Sequence, residues 1–189
     1  MILGLTGTMG SGKGTFSKYL KQKGFNYISI SDQVRKEAEK KGFEIKREAL
    51  QNIGNLMRKK YGNSYWAKLA LRKINENQNW IIDGIRNTGE IKKIKKFPNS
   101  FIIAIDSIES IRLRRIEKRN KLTEEGRKNS DLKNKDGLKK AELRDRGFKE
   151  PSYGQQVIKC IKMADYKITN NSSLQDFYSK IDEVLRKIK

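Results

Sequence analysis

The chain has 189 residues, of which 35% are hydrophobic, and this length is typical of one domain that buries a core of its own. It contains no histidine and one cysteine, which excludes an internal disulfide, a histidine-based catalytic triad and a zinc site built from cysteine and histidine. Its 43 lysine and arginine residues against 22 aspartate and glutamate residues give a net charge of +21, which indicates an anionic partner or a compositional bias towards lysine.

A glycine-rich turn follows the first apolar segment of the chain. Residues 1–6 predict a buried strand and residues 16–21 predict a helix, so the turn has the setting that a phosphate-binding loop requires. Backbone N–H groups and the positive end of the helix bind a polyphosphate in such a loop, while a lysine reaches the β- and γ-phosphates. The turn therefore predicts binding of ATP and Mg2+, with Thr15 as a metal-binding hydroxyl. The nucleotide-binding residues are Gly10, Ser11, Gly12, Lys13, Gly14 and Thr15.

Short apolar segments alternate with helical patterns along the rest of the chain. Four of these segments predict further strands, at residues 27–30, 80–82, 101–105 and 166–169. The alternation predicts an α/β fold of the P-loop NTPase class, with a five-stranded parallel sheet that carries helices on both faces. Cys160 lies in an apolar helical pattern and is predicted to be a small core residue.

Capping residues and composition predict where the helices begin and end. Ser31 is the predicted N-cap of a helix that runs to Lys41, and Ser172 and Gln175 have the spacing of a capping box at the last helix. Residues 120–150 lack apolar periodicity and are rich in charge. They predict an exposed excursion that is partly helical and mobile.

Polar residues follow the second and third predicted strands. Asp32 and Arg35 come after the second strand, and Asp83 and Arg86 come after the third. Because the carboxyl ends of parallel strands meet at one edge of the sheet, we expect these side chains near the glycine-rich loop. A P-loop enzyme uses a carboxylate at such a strand end to organise Mg2+ and its waters, so Asp83 is a predicted metal-binding residue.

With these residues placed, the chain resembles the nucleoside-monophosphate kinase branch of the P-loop kinases across nearly its whole length. Gly12-Lys13-Gly14-Thr15 is similar to the adenylate kinase form of the loop, in which the threonine comes one residue later than in the general motif. The resemblance implies that Arg35 and Arg86 bind the phosphate of the acceptor. Asp83-Gly84-Ile85-Arg86 is one residue shorter than the family's segment and lacks its proline.

The same resemblance implies further parts of a kinase. Arg115 and Arg119, four residues apart on a predicted helix, match the paired arginines that contact the phosphates in transfer, and Arg144 or Arg146 matches the arginine that returns from the lid. The implied organisation is a single domain over residues 1–189. It contains acceptor-binding helices within residues 32–78 and a lid-like insertion at residues 120–150.

A second resemblance is to dephospho-CoA kinase. Gly4-Leu5-Thr6-Gly7, together with the loop and the segment 164–170, is similar to that family, and this implies that Asn170 lies by the adenine of ATP. In that family a ribose hydroxyl is phosphorylated, so Asp32 at the end of the second strand would be the general base. Uncharacterised archaeal P-loop kinases, and kinase-like domains associated with deoxycytidylate metabolism, also resemble the chain in Asp83-Gly84-Ile85-Arg86-Asn87 and Gly154-Gln155-Gln156-Val157.

Three functions follow from these patterns. The first is an ATP- and Mg2+-dependent kinase for a small nucleotide acceptor, a nucleoside or deoxynucleoside monophosphate, with Lys13, Asp32, Arg115 and Arg119 as catalytic residues. The second is a dephospho-CoA kinase, and the third is a non-catalytic ATP-dependent RNA-binding protein that uses the basic segment 120–150. The second phosphate site that Arg35 and Arg86 predict argues against the third. No apolar run reaches membrane-spanning length, so we expect a cytoplasmic protein without a membrane partner.

Overall fold

The computed structural model describes residues 1–122 and 135–188, and its centre is a five-stranded sheet. The strands lie in the order β2-β3-β1-β4-β5, and every neighbouring pair is parallel. Their bounds are β1 (Ile2–Thr6), β2 (Asn26–Ser29), β3 (Trp80–Asp83), β4 (Ser100–Asp106) and β5 (Tyr166–Thr169). The predicted α/β fold is confirmed, and the strand that precedes the glycine-rich loop is the central one.

Nine helices connect and flank the strands within the described residues, and none of these nine is both long and apolar enough to cross a membrane. In chain order they are α1 (Lys13–Gln22), α2 (Ile30–Lys40), α3 (Arg47–Tyr61), α4 (Tyr65–Leu71), α5 (Thr88–Ile94), α6 (Glu109–Leu122), α7 (Lys135–Arg146), α8 (Val157–Lys162) and α9 (Leu174–Ile188).

The sheet has an apolar core on each face, because successive side chains along each strand point to opposite faces of the sheet. On one face Ile82 lies in a cluster with Trp66 of α4 and with Cys160 of α8, which is fully buried as predicted. On the other face Leu5 lies in a cluster with Phe16 of α1. Helices on both faces are therefore confirmed, and they hold the carboxyl ends of the strands at one edge.

Two helix starts differ from their predictions by one or two residues. Ser29, and not Ser31, is the N-cap of α2, because its hydroxyl accepts the backbone N–H of Asp32 at 3.0 Å. At the last helix the hydroxyl of Ser173, and not that of Ser172, accepts a backbone N–H of the first turn. The predicted capping box is therefore wrong. In both cases several serines stand close together, and the local sequence alone does not select one of them.

The second half of the charge-rich segment forms α7, so the prediction of a partly helical segment is confirmed, but one face of this helix is buried and not exposed as predicted. Ala141, Glu142 and Asp145 on this helix are 6%, 7% and 2% exposed. The packed face of α7 combines an apolar contact of Leu138 and Ala141 with Met9 and Ile116 and a 2.6 Å ion pair between Glu142 and Arg112 of α6. Two apolar residues among so many charged ones are too weak a pattern to stand out in the sequence. The first half of the predicted lid, residues 123–134, lies outside the described residues.

Candidate active site

The glycine-rich loop runs from the end of β1 to the start of α1 and requires glycine at its sharpest point. Gly12 is the N-cap of α1 with φ of 112°, a conformation that other residues rarely adopt. A Cβ atom there would lie 2.2 Å from the side-chain nitrogen of Asn170. Because Gly12 allows this turn, α1 begins at Lys13 and its positive end opens into the space beside the loop.

Asn170, which is predicted to lie by the adenine of ATP, packs against the glycine-rich loop. Its side chain is 5% exposed, its Nδ2 donates to the carbonyl of Ser11 at 2.8 Å, and its Oδ1 accepts from Arg115 at 3.2 Å. Both ends of the amide are therefore used within the protein. The structure makes Asn170 a support of the loop, since β5 ends next to the loop and delivers it there.

Two arginines of α6 close over the carbonyl groups of the loop. Arg112, which the sequence analysis did not select, is 3% exposed and donates to the carbonyl of Met9 at 3.1 Å. Arg115 donates to the carbonyls of Gly10 and Ser11 at 3.5 Å each. These contacts satisfy the carbonyl oxygens of Met9, Gly10 and Ser11 within the protein. The position of Arg112, one turn before Arg115, is the signal that could have identified it.

Lys13 lies between the loop and the end of β3. Its ammonium donates to the carbonyls of Gly7 and Thr8 at 2.7 and 2.9 Å. An ammonium has three donors, so it can still donate to a phosphate oxygen. Burial lowers the pKa of Lys13 to about 8, and the carboxylate of Asp83 opposes this effect.

Asp83 fits the metal role that the sequence predicts. One of its carboxylate oxygens accepts from Tyr27 at 3.0 Å, and the other is buried without a hydrogen-bond partner among the described residues. Burial and the neighbouring carboxylate raise the pKa of Tyr27, so the phenol stays a donor. Thr15 lines the same cleft as Asp83. One carboxylate and one hydroxyl suit Mg2+, which binds through few protein oxygens together with water and substrate phosphates.

The turn after β3 is anchored by Glu90, a residue that the sequence analysis did not select. One oxygen of Glu90 accepts the backbone N–H groups of Arg86 and Asn87 at 2.8 and 3.0 Å. The other accepts from Arg58 of α3 at 2.8 Å, and the two side chains are 0% and 2% exposed. This network holds Asp83 and Arg86 at the edge of the sheet. The signal for it was the spacing of Asn87 and Glu90, which form a capping box at the start of α5.

Opposite the loop, cationic side chains from α2, α3 and the turn after β3 line the cleft. Arg35 on α2 is paired with Asp32 at 2.8 Å, and both are partly or largely exposed. Arg86 donates to Asp145 of α7 at 2.6 Å and to Gln155 at 3.2 Å. Arg47, at the start of α3, donates to the same carboxylate of Asp145. Neither Arg47 nor Asp145 was selected from the sequence.

These groups share one cleft of about 570 Å3, a volume typical of small-molecule sites. Among the described residues, six basic and two acidic side chains line it. The predicted residues that line it are Gly10, Gly12, Lys13, Gly14, Thr15, Asp32, Arg35, Asp83, Arg86, Arg115 and Arg119. Ser11, within the loop, and Asn170 are buried and do not line the cleft.

The two arginines proposed for the lid, Arg144 and Arg146, are not among the described residues that line the cleft. Arg144 pairs with Glu150 at 2.9 Å, and Arg146 lies 3.8 Å from Glu142. The residue between them, Asp145, faces the cleft arginines instead. Both Arg144 and Asp145 contact α3, but Arg144 donates to the exposed side of that helix at Asn52, whereas Asp145 accepts from Gln51 and from Arg47, which lines the cleft.

Comparisons with known proteins identify the family of the chain. A family model described as an AAA domain matches residues 3–136. A UPF0200 protein of Sulfurisphaera tokodaii is 36% identical to this chain over 187 residues, which cover 99% of this chain and 97% of that protein.

Solved structures show the same fold at low sequence identity. TT1252 from Thermus thermophilus matches with a TM-score of 0.60 and 18% identity, covering 100% of this chain and 98% of its own. Shikimate kinase from Aquifex aeolicus matches with a TM-score of 0.57 and 16% identity, covering 99% and 97% of the two chains. The family model and the relative from Sulfurisphaera tokodaii show that the chain belongs to the AAA-domain and UPF0200 families, and the solved structures show that its fold is shared with a shikimate kinase.

Proposed function

We propose that the protein is an ATP- and Mg2+-dependent phosphotransferase that moves the γ-phosphoryl group to a small nucleotide, most readily a nucleoside or deoxynucleoside monophosphate. One observation carries the proposal: Lys13 and the start of α1 line the same cleft as Arg35 and Arg86. Two cationic regions in one cleft suit a donor and an acceptor that each bear phosphate. Direct transfer needs the two phosphates side by side, with water excluded.

The donor half of the cleft is the glycine-rich loop. Backbone N–H groups from Gly10 to Thr15 bind the phosphates of ATP, and Lys13 reaches the β- and γ-phosphates. Thr15 and Asp83 hold Mg2+, which neutralises charge on the transferred group when bound. Arg115 and Arg119 add positive charge where the phosphoryl group passes between donor and acceptor.

The acceptor half is built from the helices within residues 32–78 and the turn that carries Arg86, and the insertion at residues 120–150 acts as the lid. A monophosphate acceptor is already an anionic nucleophile, so no general base is required. Asp32 supports this assignment, since it is 57% exposed and paired with Arg35 at 2.8 Å. Such an aspartate orients an arginine more readily than it removes a proton from a hydroxyl.

A second candidate is phosphorylation of a hydroxyl group, as in dephospho-CoA kinase. The observation in its favour is that Asp32 lies on the cleft wall, where a general base would be needed. Asp32→Asn separates the two candidates. It lowers transfer to a hydroxyl by about 100-fold or more through loss of the base, but leaves transfer to a monophosphate within about tenfold.

The test is a phosphotransfer screen of Mg-ATP with a panel of ribo- and deoxyribonucleoside monophosphates and dephospho-CoA, read by the mass of the products. Lys13→Ala abolishes transfer, whereas Lys18→Ala, on an exposed position of the same helix, retains it. Circular dichroism of both variants checks that the fold is intact. A fully active Lys13→Ala protein, or no product from any acceptor together with ATP-responsive RNA binding, would refute the proposal in favour of a binding protein.

A further inference from the structure

Arg47 has a buried donor that no contact among the described residues explains. It begins α3 and lines the cleft, with its side chain 18% exposed. Its Nη2 atom donates to Asp145 of α7, but its Nε atom is buried without a hydrogen-bond partner among the described residues. Buried donors in folded proteins nearly always have a partner, so an unpaired one in a cleft indicates a ligand.

The charge around Arg47 is also unbalanced, because one carboxylate serves two guanidinium groups. Burial alone lowers the pKa of Arg86, but Asp145, Asp83 and Glu90 outweigh this and raise it. Burial lowers the pKa of Arg47 to about 10, and the nearby positive charges of Arg86 and Arg119 lower it further, with Asp145 opposing them. The guanidinium of arginine does not give up its proton in proteins. Arg47 therefore stays charged at a position where a second anion would stabilise it.

We propose that Arg47 binds the phosphate of the acceptor, and that Asp145 is an internal counter-ion with which this phosphate competes for Arg47 and Arg86. A phosphate accepts two parallel hydrogen bonds from the edge of a guanidinium group, and the unpaired Nε atom of Arg47 is half of such an edge. The inference rests on the proposed function, since it assigns a phosphomonoester to the acceptor half of the cleft.

The inference predicts opposite effects from two substitutions on the same ion pair. Arg47→Gln removes a phosphate ligand, so it weakens phosphate binding by about tenfold to 100-fold, the usual effect of losing a hydrogen bond to a charged group. Asp145→Asn removes the competing anion, so it strengthens phosphate binding. If the ion pair served only to attach α7 to α3, both variants would bind phosphate more weakly than the wild type.

The experiment measures the affinity for inorganic phosphate by titration calorimetry, with the glycine-rich loop filled by saturating Mg-ADP. Arg47→Lys keeps the positive charge but lacks the planar guanidinium that donates two parallel hydrogen bonds, so it is expected to bind phosphate with intermediate affinity. It replaces Arg47→Gln in the experiment if the glutamine variant does not fold. Lys140→Gln is the matched control, because Lys140 also pairs α7 with α3, 3.9 Å from Glu48, but is exposed and outside the cleft. Its affinity is expected to equal that of the wild type.

Three outcomes would overturn the inference: unchanged phosphate affinity in Arg47→Gln, weaker binding in Asp145→Asn, or an equal loss in Lys140→Gln. Acceptor kinetics give a second readout, in which Arg47→Gln raises the KM for the acceptor and leaves the KM for ATP unchanged. A protein that binds phosphate as expected but transfers no phosphoryl group would refute the proposed function alone. An active enzyme whose Arg47→Gln variant binds phosphate normally would refute this inference alone.

Discussion

The buried ion pair between Arg58 and Glu90 offers a direct test of what holds the site in place. The two side chains meet at 2.8 Å and are 2% and 0% exposed, and Glu90 also accepts the N–H groups of Arg86 and Asn87. In Arg58→Met the apolar side chain fills a similar volume but leaves the carboxylate of Glu90 buried without its cation. Removing one partner of such a pair costs about 3–5 kcal/mol.

That loss is a large part of the free energy of unfolding of a domain, which is about 5–15 kcal/mol. For a chain of this size it lowers the Tm by roughly 6–20 °C, since each kcal/mol corresponds to about 2–4 °C. The double variant Arg58→Met, Glu90→Gln removes the unpaired charge and keeps an oxygen for the two backbone N–H groups. It is therefore expected to be more stable than Arg58→Met alone.

Urea unfolding followed by tryptophan fluorescence measures both variants, because Trp66 is buried in the core beside α3. A loss below about 1 kcal/mol in Arg58→Met, or a double variant no more stable than the single one, would refute the argument from the uncompensated charge. In the folded fraction of Arg58→Met the KM for the acceptor is expected to rise, because the turn that carries Arg86 loses part of its anchor.

Three further predictions concern the loop and the core. Burial lowers the pKa of Lys13 to about 8, so its ammonium is charged below pH 8. As the pH rises through 8 the affinity for ATP falls, because the neutral amine must take up a proton when it binds the phosphates. Calorimetry in two buffers measures the affinity and the proton uptake, and an affinity that stays constant from pH 7 to 9.5 contradicts the prediction. Gly12→Ala lowers the stability by about 1–3 kcal/mol through its strained backbone and its contact with Asn170. Gly14→Ala, a helical position of α1 whose Cβ would have no heavy atom within 4 Å, unfolds at or slightly above the wild-type temperature, because alanine is the better helix former. Burial raises the pKa of Cys160 to about 12, so a thiol reagent modifies it at pH 8 only as the protein unfolds, and rapid labelling of the native protein would contradict its place in the core.

The donor half of the site could be predicted because its determinants are local in sequence. Residues 7–15 contain the glycines, the lysine and the threonine of the loop in one stretch, and the apolar run before them identifies the strand. Asp83 and Arg86 were predicted because they follow an apolar run, and the carboxyl ends of parallel strands converge whatever the order of the strands.

The supports of the site could not be predicted, because each joins residues far apart in the chain. Arg47 and Asp145 are 98 residues apart, and Arg58 and Glu90 are 32 residues apart. In the sequence Arg47, Arg58 and Asp145 are charged residues on polar helices like many others, and the capping-box spacing of Glu90 marks the start of α5 but not its pairing with Arg58. Only the docking of α3 against α5 and α7 removes water from these side chains, and that removal turns an ordinary surface charge into a specific partner.

The sequence by itself predicted a phosphate-binding loop before α1 and further polar residues near it, since both predictions follow from local motifs and from the geometry of parallel sheets. The tertiary structure decided which side chains face the cleft and which support it. Asn170 donates to the carbonyl of Ser11 in the loop, and Asp145, rather than Arg144 or Arg146, contacts a residue that lines the cleft. The physical reason is that burial and pairing depend on how separate helices pack, which no local stretch of the chain encodes.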